Sequence, residues 1–294
     1  MSYLILAVAV SFAVANNYFL RRFDNRDIDN IGDSLAFNSA ISVIWMVVLF
    51  VWGCISKGRF VLPTPTAAFY GILYGLNLSI FLLFKCQSMV SGPVSLSSLI
   101  GACGFIIATI FSAIYNHEGM STIQLAGIFI MLISIYMCIN PKKNEMVLTR
   151  KWKTYAFVFF CAGGMIGVIN KLFQASSAKA EIDGMMLVAA IISAAVLIIF
   201  GSGINKAMNK PFPKISRRNV VFVVLCGLVS CIYNRLNVHL AGVLPGIILF
   251  PVSNGCLIFA SSVLGVLIFN ERLSKFQKFG LVSGILSIIM IGCF

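Results

Sequence analysis

The chain has 294 residues, of which 60% are hydrophobic and 11% are charged, and its mean hydropathy is +0.98. Charged residues make up nearer a quarter of a soluble globular domain, so this composition excludes that class. The formal net charge of +13 does not indicate a nucleic-acid partner, because the basic residues cluster beside apolar runs, where they set membrane topology and meet anionic lipid head groups. We therefore expect the lipid bilayer, and no nucleic acid, as a partner.

The apolar residues form ten runs of about 20 residues, which is the length that a helix needs to cross the hydrocarbon core. The strands of a membrane β-barrel are about ten residues long and alternate in polarity, and these runs do not. The sequence predicts an all-α integral membrane protein. In chain order, its ten transmembrane helices are expected at 2–20, 33–56, 67–87, 92–115, 122–140, 154–174, 184–204, 219–241, 245–269 and 275–294.

The pattern Glu-x-x-Ser-x-x-Gln-x-x-Gly occurs twice, 153 residues apart, each time in the short polar gap before a span. The same offset superposes Asn17 on Asn170. Each half of the chain holds five spans, an odd number, so the second half must be inverted in the membrane relative to the first. The sequence thus predicts two inverted repeats, 1–140 and 154–294, joined by a connecting loop at 141–153. The motif residues are Glu118, Ser121, Gln124 and Gly127 in the first copy and Glu271, Ser274, Gln277 and Gly280 in the second.

The repeated motif has the spacing of a helix-capping box. In such a box the serine hydroxyl accepts a hydrogen bond from the third helical N–H, and the glutamine side chain accepts one from the backbone N–H of the serine itself. The glutamate just upstream adds negative charge near the positive end of the following helix, and the glycine permits close helix contact. We interpret the motif mainly as structural, with a direct coupling or gating role as the alternative.

Polar side chains at membrane depth mark candidate binding sites. Arg235 lies in the eighth predicted span, with His239 on the same helix face and with Asn234 and Asn237 beside it. Arginine stays charged, so Arg235 is expected to face a wet cavity, an anionic ligand or a group of carbonyls. We interpret Arg235, Asn234 and His239 as substrate-binding candidates. The alternative for Arg235 is a snorkelling or helix-locking role.

A helical stripe in the third span runs through Tyr70, Tyr74, Asn77, Phe81 and Lys85. It indicates either an aromatic cavity wall that ends in a cation or ordinary packing with an interfacial lysine, and Tyr70, Tyr74 and Asn77 join the substrate-binding candidates. The remaining candidates are Asn17, Asn170 and Lys171, and weaker ones are Asn38, Trp45, Ser253 and Asn254.

All nine acidic residues fall in predicted loops or at helix ends, whereas Lys85, Lys171 and Arg235 lie within spans. Because an exporter of cations usually needs a buried carboxylate, this distribution favours a neutral, zwitterionic or anionic metabolite. The chain also lacks the paired acids and histidine clusters typical of membrane enzymes, and its nine cysteines form no CxxC pair. We expect no catalytic residues, no metal and no cofactor.

Basic residues are distributed unevenly between the connections. Sixteen of the 22 lie beside the odd-numbered connections and three beside the even-numbered ones. The positive-inside rule then places the odd-numbered connections in the cytoplasm and both termini outside.

Ten spans in two halves, each with the Glu-x-x-Ser-x-x-Gln-x-x-Gly motif before its fifth helix, resemble the EamA-like family of the drug/metabolite transporter superfamily. The resemblance implies a central cavity walled by the third, fourth, eighth and ninth helices, with the first, second, sixth and seventh as moving gates. It also implies cytoplasmic termini, opposite to the charge bias.

The resemblance therefore implies a secondary transporter of the prokaryotic cytoplasmic membrane, acting as a monomer or homodimer. Its mechanism would be alternating access. The resemblance does not identify the substrate, and it is the distribution of charge within the spans that favours a small polar, anionic or zwitterionic metabolite. The alternatives are a lipid or lipid-carrier flippase of the same fold, a drug or cation exporter and, less favoured, an integral-membrane enzyme.

Overall fold

The computed structural model describes residues 2–22, 30–57, 62–139, 149–211, 216–269 and 273–293. Glu271 and residues 141–148 of the predicted connecting loop lie outside this part of the chain. The described residues form helices and no β-strand. The helices are α1 (Ser2–Arg22), α2 (Ile31–Lys57), α3 (Pro65–Ser91), α4 (Val94–Ala102), α5 (Phe105–Tyr115), α6 (Thr122–Ile139), α7 (Arg150–Ala175), α8 (Ile182–Ala207), α9 (Arg217–Val243), α10 (Gly246–Phe269) and α11 (Lys275–Cys293).

Ten segments of the described chain are long and apolar enough to cross a membrane, by length and composition. Nine are single helices, and α4 and α5 together supply the fourth segment over Leu96–Tyr115. Every predicted span overlaps one of these segments, which confirms the predicted all-α membrane fold with ten spans. Helices suit this environment because every backbone polar group inside a bilayer needs a partner within the chain.

The fourth span is broken at Cys103 and Gly104, where the sequence predicted one continuous helix. Here the usual helical hydrogen bonds give way to shorter-range ones, from Gly104 N–H to Gly101 O (3.1 Å) and from Ile106 N–H to Cys103 O (3.0 Å). Gly104 lies against α7 so closely that a Cβ atom would be 3.1 Å from the carbonyl oxygen of Phe160. Small residues therefore bring the two backbones together at the point where the fourth span bends.

Each span of the first half packs mainly on spans of the second half. The main pairs are α1 with α9, α2 with α8, α3 with α7 and α8, α5 with α10 and α7, and α6 with α11. The two largest clusters of buried apolar side chains likewise contain residues from both halves. The halves are thus interlocked, and their division into two inverted repeats stays a prediction.

Both predicted capping boxes are present. Ser121 N–H donates to Gln124 Oε1 (3.0 Å), and Gln124 N–H donates to Ser121 Oγ (3.1 Å). The same two bonds join Ser274 and Gln277, at 3.0 and 3.2 Å. Four backbone N–H groups at the starts of α6 and α11 are satisfied in this way, at positions where a helix has no partner of its own for them.

The same glutamines hold α6 and α11 together as an antiparallel pair. Gln124 Nε2 donates to Ile291 O at 3.4 Å, and Gln277 Nε2 donates to Cys138 O at 3.1 Å. The 153-residue offset between the motifs carries each of these bonds onto the other. The motif glycines that lie at this interface are Gly127 and Gly280.

We expect Gln277→Ala to lower the free energy of unfolding by about 1 to 2 kcal/mol, because it removes both a helix cap and a bond between helices. Thermal unfolding of the protein in detergent measures this effect. Gln87→Ala is the matched control, since the Gln87 side chain makes no hydrogen bond within the described residues. Equal melting temperatures for the two variants would contradict the role assigned to Gln277.

Candidate functional site

A cavity of about 350 Å³ lies at the centre of the bundle. Its walls come from α1, α2, α3, the α4–α5 span, α7, α9 and α10. The third, fourth, eighth and ninth spans therefore all contribute, together with the first, second and sixth. A cavity of this volume is in the range of small-molecule binding sites.

Side-chain amides supply most of the polar lining. An amide both donates and accepts hydrogen bonds and carries no charge. The walls therefore offer neutral hydrogen bonds from several helices, and serine hydroxyls from α2, α9 and α10 add to them. The six lining asparagines are Asn16, Asn38, Asn170, Asn234, Asn237 and Asn254.

Three of these amides are held by their own helices. Asn38 Nδ2 donates to Ser34 O at 2.7 Å, and Asn254 Nδ2 donates to Phe250 O at 2.9 Å. Asn237 makes the equivalent bond, at 3.1 Å, to the carbonyl four residues earlier. In each case one amide N–H is fixed, and the second N–H and the oxygen remain for other partners.

A hydrogen-bond network from other helices fixes Asn234. Tyr74 Oη donates to Asn234 Oδ1 at 3.0 Å, and Asn234 Nδ2 donates to Ser230 O at 2.8 Å. Trp45 Nε1 donates to Ser230 Oγ, also at 2.8 Å. Tyr74 and Trp45 are both buried. The network therefore joins the second, third and eighth spans at the cavity wall.

Aromatic rings form much of the apolar lining. Phe81 is supported from behind by Phe159, whose ring centroid lies 5.0 Å away. Rings of this kind give a binding site large, rigid contact surfaces. The aromatic residues of the lining are Trp45, Phe81, Phe105, Tyr233 and Phe250.

Lys85 is the one charged residue among the described residues that line the cavity, and none of them is acidic. The Lys85 ammonium group makes no hydrogen bond or ion pair with the described part of the chain. The cavity is thus mostly neutral and carries positive charge at one end of its α3 wall.

The connections between successive spans alternate between two faces of the bundle. At one of them, which we call the even-loop face, Thr64 N–H donates to Glu181 Oε2 at 2.8 Å and so joins the second and sixth connections. The described connections of the even-loop face are 62–64, 116–121, 176–181 and 244–245.

Lys171 takes part in a buried lock at the even-loop face. Its Nζ lies 3.0 Å from Glu118 Oε1 and donates to Leu244 O at 2.9 Å. Glu118 Oε2 accepts from Ile247 N–H at 3.1 Å. The Lys171 and Glu118 side chains are only 8% and 14% exposed. This Lys171–Glu118 lock ties α7 to the start of α10, immediately next to the cavity residue Asn170.

Glu118 is charged at neutral pH. Burial acts to raise its pKa, but hydrogen bonds from the Ile247 and Gly246 backbone amides, from Lys171 and from Asn116 outweigh burial. The net result is a pKa below the ordinary value of 4.5. The sequence predicted that Glu118 would act at the start of the fifth span, whereas its backbone donors belong to the start of the ninth.

Arg235 forms a two-point pair with Asp183 in the first turn of α8. The Nε–Oδ1 distance is 2.6 Å and the Nη2–Oδ2 distance is 3.2 Å. The guanidinium carbon also lies 6.0 Å from the ring centroid of Trp52. Arg235 is not among the lining residues of the cavity. Its role in substrate binding stays a prediction, and the partner that it has in the structure is Asp183.

Two of the three intramembrane cations, Lys171 and Arg235, have acidic partners in the structure. The sequence did not predict these partners. Glu118 and Asp183 do lie in a loop and at a helix end, as predicted, but their side chains reach these two cations. Of the three intramembrane cations, Lys85 is left without an acidic partner among the described residues.

The structure brings two of the predicted binding residues, Asn170 and Asn234, together around the cavity. Tyr74 supports Asn234 but does not line the cavity itself. Asn77 is behind the wall, where its Nδ2 donates to Ala162 O at 2.9 Å.

Three other candidates lie away from the cavity. Asn17 Nδ2 donates to Ser261 Oγ at 2.9 Å. The ring of Tyr70 packs edge-on against Phe173, with centroids 5.8 Å apart. His239 is exposed on the outside of the bundle.

The sequence predicted several of the lining residues weakly or not at all. Asn16 and Tyr233 were not singled out, and Asn38 and Asn254 ranked as weak candidates. The sequence does show that these asparagines lie at membrane depth. It does not show which face of each helix points toward the cavity.

Two curated proteins are similar to this chain, both named "Putative sugar uptake protein", one from Listeria monocytogenes serovar 1/2a and one from Listeria innocua serovar 6a. Each is 28% identical over 195 residues. The match covers 63% of this chain and 62% of each relative, so the chain spans less than two thirds of the relatives' length. This likeness and the ten-span fold support a transporter in general.

A solved crystal structure has the same fold. It aligns with a TM-score of 0.75 over 99% of this chain and 96% of that one, at 11% sequence identity. This likeness is evidence of the fold alone. No sequence-family model matches the chain.

Proposed function

We propose that the chain is a secondary transporter for a small, uncharged, hydroxyl-rich solute such as a sugar. The observation that carries this proposal is the cavity, which is lined by six asparagines and five aromatic residues and has no acidic residue among its described walls. Hydroxyl groups pair with neutral amides, and the C–H faces of a sugar ring pack on aromatic rings. A cation substrate would find no carboxylate there.

The relatives support the same substrate class, because their name describes sugar uptake. The motif and span count that resemble the EamA-like family support membership of the drug/metabolite transporter superfamily. We place the chain in the cytoplasmic membrane, in keeping with these bacterial relatives.

Alternating access is the mechanism that we propose for this cavity. Residues of both halves line it, and the reciprocal bonds of Gln124 and Gln277 are what two inverted repeats would produce at their shared interface. The Lys171–Glu118 lock and the Arg235–Asp183 pair would close the even-loop face in one state and separate in the other.

Uptake into proteoliposomes tests the proposal. Purified protein reconstituted into liposomes preloaded with unlabelled D-glucose, D-ribose or D-fructose should accumulate the same labelled sugar by exchange, whereas protein-free liposomes should not. If the protein exchanges none of a wide panel of monosaccharides and polyols, the proposed function is wrong.

Lys85 favours a second candidate, a solute that carries a carboxylate or phosphate group. If the solute is anionic, Lys85→Gln should weaken its uptake about tenfold or more, since a charge-assisted hydrogen bond is lost. If the solute is neutral, Lys85→Gln should change the uptake of the sugar by less than about threefold, because glutamine still donates a hydrogen bond. Competition of sugar uptake by gluconate and by glucose 6-phosphate provides an independent measurement.

A further inference from the structure

Two of the lining amides differ from the rest. The side-chain oxygens of Asn16 and Asn170 are buried and have no hydrogen-bond partner within the described residues. Both residues line the cavity, and Asn170 as a whole is only 4% exposed. The oxygen of Asn234, by contrast, accepts from Tyr74.

An unpaired buried acceptor is unusual, because it has lost its hydrogen bond to water without gaining another. The described residues hold two other such atoms, Ser112 Oγ and Asn205 Oδ1, and neither of those residues lines the cavity. In a binding site, a donor group on the ligand supplies the hydrogen bond that the unpaired oxygen lacks.

Asn16 and Asn170 lie at different heights in the bundle. The neighbour of Asn16, Asn17, bonds to Ser261 of α10, whereas Gly167, one turn before Asn170, lies against Phe250 of the same helix. Ser261 and Phe250 are eleven residues apart, which is about 16 Å along a helix. This separation along α10 is longer than a single sugar ring.

We propose that Asn16 and Asn170 are two successive binding stations, one at each end of the cavity. Each station accepts a hydrogen bond from a hydroxyl or N–H group of the solute as it crosses. Asn16 belongs to the first half and Asn170 to the second, so the solute passes from one half to the other. A solute without such donors, such as a fully O-methylated sugar, is rejected. This inference rests on the proposed function and specifies how that cavity selects its solute.

Leucine substitutions at the two stations test the inference in two independent measurements. In the absence of sugar, Asn16→Leu and Asn170→Leu should each raise the melting temperature, by about 3 °C, because an unsatisfied buried oxygen is removed. Gln174→Leu is the matched control on α7. Gln174 Nε2 donates to Val238 O at 2.8 Å and lies outside the cavity lining, so its loss should lower the melting temperature.

The second measurement is sugar exchange together with sugar-induced thermal stabilisation. Each single station variant should lose at least about tenfold in exchange but keep part of the thermal shift, whereas the double variant should lose the shift as well. Gln174→Leu should retain both. If the station variants melt lower than wild type, or exchange sugar at the wild-type rate, the two stations are ruled out. If wild type itself neither binds nor exchanges any sugar, the proposed function fails first, and the stations with it.

Discussion

Replacing Lys171 by methionine is expected to lower the free energy of unfolding by about 3 kcal/mol. Methionine keeps much of the side-chain volume but leaves the Glu118 carboxylate and the Leu244 carbonyl without the ammonium group that pairs them. Removing one partner of a buried ion pair is costly because the remaining charge stays buried without its counter-ion. Chemical or thermal unfolding of the purified protein in detergent at neutral pH measures the loss.

Two further variants separate the lock from a general effect of losing a lysine. Lys179→Met removes an exposed lysine of the even-loop face that makes no ion pair with the described residues, so it should leave stability almost unchanged. The double variant Lys171→Met with Glu118→Leu should be less destabilised than the sum of its parts, since it leaves no unpaired charge. Equal effects of Lys171→Met and Lys179→Met would contradict the lock.

The contribution of the lock should depend on pH through Glu118. The folded-state pKa of Glu118 lies below its ordinary value of 4.5. Its stabilising contribution is therefore fully present at neutral pH and is lost as the pH falls through that lowered folded-state pKa. The difference in melting temperature between wild type and Glu118→Gln should accordingly be constant between about pH 6 and pH 8 and shrink in acid.

Short-range chemistry explains what the sequence predicted well. The capping boxes depend on residues three positions apart, and the span count depends on runs of about 20 apolar residues, so both follow from local sequence. The motif glycines were expected to permit close helix contact, and both lie where α6 and α11 meet, although the sequence did not indicate which helices would pair.

Pairing between residues far apart in the chain explains what the sequence did not predict. Asp183 and Arg235 are 52 residues apart, and Glu118 and Ile247 are 129 apart, so nothing in the local pattern of either residue identifies its partner. Counting acids inside spans could not find these pairs, because a carboxylate at a helix end reaches a cation one or two turns into a neighbouring helix.

Helix rotation explains the partial success at the cavity. The 153-residue offset favoured Asn17 as the counterpart of Asn170. In the structure, however, Asn16 lines the cavity, and Asn17 donates a hydrogen bond to Ser261. Adjacent residues of a helix point about 100° apart, so this choice depends on how α1 packs against α9 and α10. Packing of that kind is a property of the whole bundle and leaves no trace in the sequence of α1 alone.

Ile166→Trp is expected to reduce exchange of any transported sugar to the level of protein-free liposomes. Ile166 lines the cavity from α7, and the larger, rigid indole ring in its place would project into the space between the asparagine-bearing walls. Met165, the preceding residue, is 40% exposed and lies outside the cavity lining. Met165→Trp therefore introduces the same ring on the same helix turn without obstructing the cavity and should exchange sugar at close to the wild-type rate.

A tryptophan variant could lose exchange either because the ring blocks the cavity or because the protein is misfolded. Overpacking costs about 1 to 3 kcal/mol, so both tryptophan variants should first be shown to be monodisperse and to melt cooperatively. Ile166→Phe, which adds a ring without an N–H donor, should also block exchange if volume is the cause, whereas a block by tryptophan alone would indicate a new hydrogen bond to the lining amides. Exchange by a folded Ile166→Trp protein at the rate of Met165→Trp would mean that the solute does not pass this wall, and the central cavity would then not be the transport site.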